Sequence, residues 1–134
     1  VIHRDITPNN ILINYKNCKI KIIDFGLSRE KTINLNNNND NNKLTEYITT
    51  RWYRAPEIMV DKSNYNEKMD IWAVGAIWGE MLIKKPLFKS STHLELLNII
   101  LKLLGTPNVI ELDSFIKDDN IKKYIINYLP NYKG

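Results

Sequence analysis

Short apolar runs separated by polar turn formers lie near the start of the chain. Residues 11–13 (ILI) and 19–23 (KIKII) are β-rich, and the intervening NYKNC supplies asparagines that favour turns. The pattern predicts an antiparallel hairpin with polar residues at both of its ends.

A longer apolar stretch predicts a central helix. Residues 67–83 (EKMDIWAVGAIWGEMLI) are apolar on nearly every face, which is typical of a helix buried in the middle of a domain. Its uninterrupted apolar run, 71–79, is far shorter than the roughly 20 residues that a membrane span requires. We therefore expect no transmembrane segment and no membrane partner.

Residues 92–104 (THLELLNIILKLL) predict another helix. Thr92 and Glu95 have capping-box spacing at its start, and Gly105 with Pro107 supplies the stop signal. The boundaries of this helix are thus marked on both sides by local sequence signals.

Two further segments complete the pattern. Residues 119–129 predict a helix that Pro130 ends. Residues 30–43 are polar and include NLNNNNDNN at 34–42, a low-complexity stretch that we interpret as a loop insertion.

Composition places the chain among soluble globular proteins, with 134 residues, 43% hydrophobic and 25% charged. Because the first residue is Val and a strong motif begins two residues later, we expect a piece of a longer polypeptide. The single cysteine, Cys18, excludes an internal disulfide and gives no metal-site spacing.

The positions of the few arginines are more informative than the net charge. The net charge is +4, but the lysines are scattered and no basic stripe carries interleaved aromatics, so nucleic acid is not a predicted partner. Of 19 basic residues only four are arginine, namely Arg4, Arg29, Arg51 and Arg54. Arginine binds phosphate or carboxylate in a bidentate way that lysine cannot reproduce.

Polar side chains at the ends of the predicted hairpin form a candidate metal site. Asn10 immediately precedes the first strand and Asp24 immediately follows the second, so antiparallel pairing brings the two positions side by side. An amide oxygen beside a carboxylate suits Mg²⁺, which keeps other ligand positions for water and substrate phosphates. Asp5, on the same loop as Asn10, would face this site as an acceptor for a substrate proton.

Several motifs resemble, in order and spacing, those of protein kinases. They are HRD at 3–5 with an asparagine five residues after its aspartate, DFG at 24–26, APE at 55–57 and DIWAVG at 70–75. The resemblance implies an α+β, protein-kinase-like fold: a mostly helical C-terminal lobe with a short β-hairpin, the N-terminal lobe being absent.

The resemblance also implies a division of residues 1–134 as a partial kinase domain. Residues 1–26 would be the catalytic and metal-binding loops, 24–57 the activation segment with its Asn-rich insert, and 58–134 the helices of the C-terminal lobe. Residues 106–130 would begin the insert shared with cyclin-dependent and related kinases.

The resemblance implies ATP and Mg²⁺ as cofactors and assigns roles to individual residues. Asp5 is then the catalytic base, Asn10 and Asp24 are the Mg²⁺ ligands, and Arg4 is the link to a phosphorylated activation segment. Asp70 would hold the backbone of the catalytic loop, although a simple favourable charge at a helix N-terminus is an alternative interpretation.

Residues 44–57, LTEYITTRWYRAPE, resemble mitogen-activated protein kinases of the extracellular-signal-regulated type. Thr45 and Tyr47 would be the two phosphorylation sites, adding a charge of about −3 to −4 that needs nearby arginines. By this likeness the receivers are Arg4 and Arg29 for Thr45, and Arg51 and Arg54 for Tyr47. Alternatively, Arg51 and Arg54 form only structural ion pairs.

The likeness implies a proline-directed Ser/Thr protein kinase. Thr50 would lie along the wall of the pocket that accepts proline after the target residue, so the expected partners are proteins with Ser/Thr-Pro sites and an upstream dual-specificity kinase. We expect a cytoplasmic or nuclear location. Ciliary male-germ-cell-associated kinases, which also carry TDY or TEY, and cyclin-dependent-like kinases remain alternatives.

Two departures from the kinase pattern affect these expectations. Thr7 occupies the place of the catalytic-loop lysine, and losing one preorganised donor of this type reduces a rate by roughly 10²-fold. We expect a slowed kinase, with a pseudokinase or scaffold as the alternative. Glu57 normally pairs with an arginine near the end of the kinase domain, and no arginine follows Arg54. We therefore expect the isolated chain to fold only partly.

Overall fold

The computed structural model of this protein describes residues 1–30, 51–60, 66–116, 118–128 and 131–133. Two strands, β1 (Ile11–Ile13) and β2 (Ile20–Ile22), form an antiparallel sheet. The helices in the described part are α1 (Pro56–Val60), α2 (Lys68–Ile83), α3 (His93–Leu104), α4 (Val109–Phe115) and α5 (Asp119–Tyr128). Short 3₁₀ turns span Pro8–Asn10, Phe25–Leu27 and Arg51–Tyr53. This mixed, mostly helical content agrees with the predicted α+β class.

The predicted hairpin is confirmed, with β2 one residue shorter at each end than the apolar run. Ile11 pairs with Ile22, and the turn closes through a hydrogen bond of 2.8 Å from the Asn14 amide to the Lys19 carbonyl. The Asn14 side chain accepts a hydrogen bond from the Lys16 amide, which is how asparagine stabilises a turn.

Helix α2 forms where the sequence predicts it, but only part of its surface is buried. Ala73 and Ala76 lie in the core, whereas Trp78 and Leu82 are 65% and 70% exposed. The expectation of burial on every face is therefore wrong for this chain. A helix that is apolar all round gives no periodicity from which its buried face could be predicted. Among the helices of the described segments, none is long and apolar enough to cross a membrane.

Helix α3 begins and ends at the predicted signals. The Thr92 hydroxyl accepts a hydrogen bond from the Glu95 amide at 3.1 Å, and the chain leaves the helix at Gly105 with φ 89°. The Glu95 carboxylate accepts from the amide of Ser91, at 2.6 Å, and not from that of Thr92. The capping box is therefore displaced by one residue, and its carboxylate also orders the segment before the helix.

Helix α4, which the sequence pattern did not predict, has a complete capping box. The Asn108 side chain accepts from the Glu111 amide, and the Glu111 carboxylate accepts from the Asn108 amide. Lys122 on α5 pairs with Asp113 on α4 at 2.7 Å. The two helices share a small core made of Leu112, Ile116 and Ile125.

The largest core cluster joins distant parts of the chain. It contains side chains from the loop before β1, the 51–53 turn, α2, the segment after α2, and α3, namely Ile6, Tyr53, Ala73, Ala76, Phe88, Leu96 and Ile100. The loop at residues 3–10 is thus packed against the helical part of the molecule.

Candidate active site

The first turn of α2 holds the backbone of the 3–10 loop. Asp70 accepts hydrogen bonds from the amides of His3 and Arg4, at 2.7 and 2.9 Å. Arg4 has φ 73°, a left-handed conformation that costs a non-glycine residue about 1–2 kcal/mol. A charge at a helix N-terminus requires no such partners, so Asp70 does more here than favour the helix dipole.

His3 connects this loop to the end of β2. Its side chain is buried, with Nε2 3.0 Å from the Ile23 carbonyl and Nδ1 accepting from the Asp5 amide at 3.3 Å. Because Nδ1 accepts a hydrogen bond, Nε2 is the ring nitrogen that donates to the Ile23 carbonyl. The ring also meets Phe25 edge to face, 4.7 Å between centroids. His3 belongs to the HRD motif, but no local pattern in the sequence indicates its contacts with Ile23 and Asp5.

Asn10 fixes the carboxylate of Asp5. The amide nitrogen of Asn10 donates to the Asp5 carbonyl at 2.9 Å and to its carboxylate oxygen Oδ2 at 3.0 Å. Both residues therefore occupy defined positions in one loop, where the Asp5 carboxylate can act as a proton acceptor.

Asp24 lies next to Asn10 but one residue out of register. The Ile23 amide donates to the Asn10 carbonyl at 2.9 Å, so Asn10 lies opposite Ile23, and Asp24 is the following residue. Asp24 adopts φ 62°, and its Oδ1 accepts from the Gly26 amide at 3.3 Å. A Cβ on Gly26 would lie 3.2 Å from that oxygen, which favours glycine at this position.

The donor set fits a magnesium ion shared with phosphates. Across the described segments, neither Oδ1 of Asn10 nor Oδ2 of Asp24 takes part in a hydrogen bond. Amide and carboxylate oxygens are the ligands that Mg²⁺ prefers. The described residues hold no cluster of three or more histidine, cysteine or acidic residues that could hold a metal ion.

Thr7 is buried beside Asp5. It is 9% exposed, and its carbonyl accepts from the Asn10 amide at 3.0 Å. Together with Asp5, Tyr53 and Arg54 it lines a cleft of about 20 Å³. This position therefore supplies a hydroxyl and a methyl group where an ammonium was expected.

The four arginines occupy different environments. Arg29 exchanges two backbone hydrogen bonds with Ile2, at 2.8 and 2.9 Å, and Arg51 donates from Nη1 to the Ser91 carbonyl at 2.8 Å. Arg4 and Arg54 line the cleft that also contains Asp5. Their assigned phosphate partners, Thr45 and Tyr47, lie outside the described residues, as does the predicted pocket residue Thr50, so these roles stay predictions.

Glu57 lies in the first turn of α1, half-buried. No ion pair involves it within the described ranges.

The 51–53 turn carries a contact that the sequence did not indicate. The Tyr53 hydroxyl donates to the Glu80 carboxylate of α2 at 2.6 Å. Burial, reinforced by this hydrogen bond and by the negative charge of Glu80, raises the pKa of Tyr53 far above its usual value. The phenol therefore stays protonated and remains a donor.

Known proteins resemble this chain in sequence along nearly its whole length. The family model described as "Protein kinase domain" matches residues 1–128. "Mitogen-activated protein kinase 3" of Arabidopsis thaliana is 42% identical over 132 residues, covering 98% of this chain and 33% of the relative. "Mitogen-activated protein kinase 5" of Oryza sativa subsp. indica is 40% identical over the same shares. The chain thus spans about a third of the length of these relatives, and its resemblance to mitogen-activated kinases is confirmed.

Proposed function

Because the chain belongs to the protein kinase family, we propose that the full-length protein transfers the γ-phosphate of ATP to serine or threonine residues followed by proline. The observation that carries this proposal is the double hydrogen bond from Asn10 to Asp5 beside Asp24. It joins the residue suited to accept a proton to a residue suited to hold a metal ion.

In this proposal Asp5 accepts the proton of the substrate hydroxyl. Asn10 holds the Asp5 carboxylate in place for that transfer. Oδ1 of Asn10 and an oxygen of Asp24 would hold Mg²⁺, which when bound neutralises charge on the phosphates. Asp70 keeps the loop backbone in its strained conformation, and His3 keeps the loop against β2. These contacts preorganise the site before substrate binds.

We further propose that phosphorylation of Thr45 and Tyr47 by a dual-specificity kinase activates the protein, and that it acts in the cytoplasm or nucleus. The TEY sequence supports this, as does the position of three of the four arginines, Arg4, Arg51 and Arg54, within the kinase motifs. Two phosphates in one segment require bidentate cations to order it.

One observation favours a second candidate, a pseudokinase that acts by binding. Thr7 is buried and uncharged at the position of the catalytic-loop lysine, whose positive charge stabilises the transition state. Without that charge, the rate of phosphoryl transfer falls by roughly 10²-fold. The base and both metal ligands are retained, which supports the slowed kinase as the main proposal.

The test is single-turnover phosphoryl transfer by the full-length protein, after treatment with an active dual-specificity kinase, to a Ser/Thr-Pro protein substrate. The wild type is compared with Thr7→Lys and with Asp5→Asn as the blank. We expect the wild type to exceed the blank and Thr7→Lys to be faster still. A wild type equal to the blank, with activity only in Thr7→Lys, would establish the pseudokinase.

The activation proposal has its own variant. A full-length protein carrying Thr45→Ala and Tyr47→Phe should lose most of the activity gained on treatment with the upstream kinase. Full activity in this double variant would contradict activation through the TEY segment.

A further inference from the structure

The side chain of Thr7 is buried, and its hydroxyl has no hydrogen-bond partner among the described residues. Thr7 is 9% exposed, and although it precedes the Pro8–Asn10 turn, its side chain does not cap that turn. Its carbonyl, in contrast, accepts from the Asn10 amide at 3.0 Å. A hydroxyl in a buried side chain loses its bonds to bulk water, and the usual replacement is a protein group, an ordered water or an ion.

The space beside Thr7 matches one water-sized group. The cleft that Thr7 lines together with Asp5 and Tyr53 has a volume of about 20 Å³. One water molecule needs roughly 10–15 Å³ on the same measure. The cleft therefore accepts a single water molecule or an ion of similar size, and it is too small for a larger organic group.

The charged residues that line this cleft balance one another. Asp5 and Asp70 bring two negative charges to the lining, and Arg4 and Arg54 bring two positive charges. A lysine in the place of Thr7 would add one positive charge. The lining of this chain thus has one positive charge fewer than the usual kinase pattern gives it.

Two oxygen atoms are available to bind a cation in the cleft. Asn10 donates to Oδ2 of the Asp5 carboxylate, and Oδ1 accepts no hydrogen bond from the described residues. The second oxygen is the hydroxyl of Thr7. A hydrogen bond between a charged donor and a carboxylate is about twice as strong as a neutral one, so these oxygens favour ammonium over water.

We propose that the cleft beside Thr7 binds one small monovalent cation, ammonium or potassium, in place of the ammonium group of the missing lysine. This inference rests on the proposed function, in which the phosphoryl group passes next to Asp5 and is stabilised by a nearby positive charge. No bond is made or broken at the cation, which contributes only its charge.

A series of ions separates binding in the cleft from ionic strength. Single-turnover phosphoryl transfer by the full-length protein, after treatment with the upstream kinase, is measured in ammonium, potassium and tetramethylammonium chloride at equal concentrations. Tetramethylammonium carries the same charge but is too large for the cleft. We expect ammonium and potassium to raise the rate about tenfold over tetramethylammonium, which recovers part of the loss caused by the missing lysine.

Replacements of Thr7 test where the ion binds. Thr7→Lys carries its own ammonium group, so its rate should not depend on the ion. Thr7→Val removes the hydroxyl oxygen and should lose most of the ion dependence. Ser114→Ala is the matched control, because it removes an exposed hydroxyl on α4, bonded to the Glu111 carbonyl, and should respond as the wild type does. Equal wild-type rates in all three salts, or an undiminished ammonium response in Thr7→Lys, would overturn the inference.

Thermal stability separates this inference from the kinase proposal. An ion that binds only the folded protein raises the melting temperature by mass action. We expect ammonium to raise that of the wild type by about 1–3 °C relative to tetramethylammonium, and to leave Thr7→Lys unchanged. If the wild type shows this shift but transfers no phosphate, the cation site stands and the kinase proposal fails. If it transfers phosphate at the same rate in every salt and shows no shift, the kinase proposal stands and the cleft holds water only.

Discussion

Replacing Asp70 by asparagine tests how the catalytic loop is held. The carboxylate accepts from two backbone amides, and the replacement turns one acceptor oxygen into an NH₂ group that faces an N–H donor. One hydrogen bond is lost outright, and the other loses the contribution of the negative charge.

The expected destabilisation follows from these contacts. Hydrogen bonds to charged groups contribute about 1.5–3 kcal/mol each, and a buried amide left unpaired costs about 1–3 kcal/mol. With one bond lost and one weakened, the free energy of unfolding should fall by about 2–4 kcal/mol. The left-handed conformation of Arg4, which stores about 1–2 kcal/mol, is then free to relax, moving Asp5 away from its productive position.

The assay is urea unfolding of the full-length protein, together with single-turnover phosphoryl transfer. Asp119→Asn is the control, because Asp119 lies exposed in the first turn of α5, where the helix dipole and its surface ion pair with Lys122 each contribute at most about 1 kcal/mol. Asp70→Asn should cost more than Asp119→Asn and reduce the transfer rate. Equal losses in the two variants would show that Asp70 acts only as a helix-terminal charge, contrary to the geometry described above.

Three further predictions concern other parts of the molecule. Asn108→Ala removes the capping box of α4 and should destabilise the protein by about 1 kcal/mol in urea unfolding, whereas Asn127→Ala, at an exposed position of α5, should be neutral. Tyr53 has a folded-state pKa above its ordinary value of 10.0, so its contribution to stability is complete below pH 10 and is lost as the pH rises further. Above pH 10 the wild type should therefore lose stability relative to Tyr53→Phe, by up to about 1.4 kcal/mol per pH unit, and parallel curves would contradict the assignment. The isolated 134-residue chain should show no cooperative thermal unfolding transition, because α2 exposes apolar side chains such as Trp78; a sharp transition by circular dichroism would refute this.

The elements that the sequence predicted well have local signals at both ends. Helix α3 is bounded by Thr92 and Gly105, and the hairpin by asparagines that form its turn. Helix α4 was missed because it has only seven residues, although Asn108 and Glu111 have capping-box spacing. A short helix gives too few apolar repeats for its period to be recognised.

What the sequence did not indicate depends on contacts between distant residues. The one-residue offset between Asn10 and Asp24 follows from the strand register, which the short apolar runs leave undetermined. The partnership of Tyr53 with Glu80 joins positions that no local pattern connects. The buried face of α2 is set by its neighbours, because its own sequence is apolar all round.

The two carboxylates of α2 place a constraint on the length of the chain. A residue inserted or deleted between Asp70 and Glu80 would rotate one carboxylate about the helix axis by about 100° and shift it by about 1.5 Å relative to the other. Either Asp70 would lose the amides of His3 and Arg4, or Glu80 would lose Tyr53. The number of residues between them therefore has to stay the same for α2 to hold both the catalytic loop and the 51–53 turn.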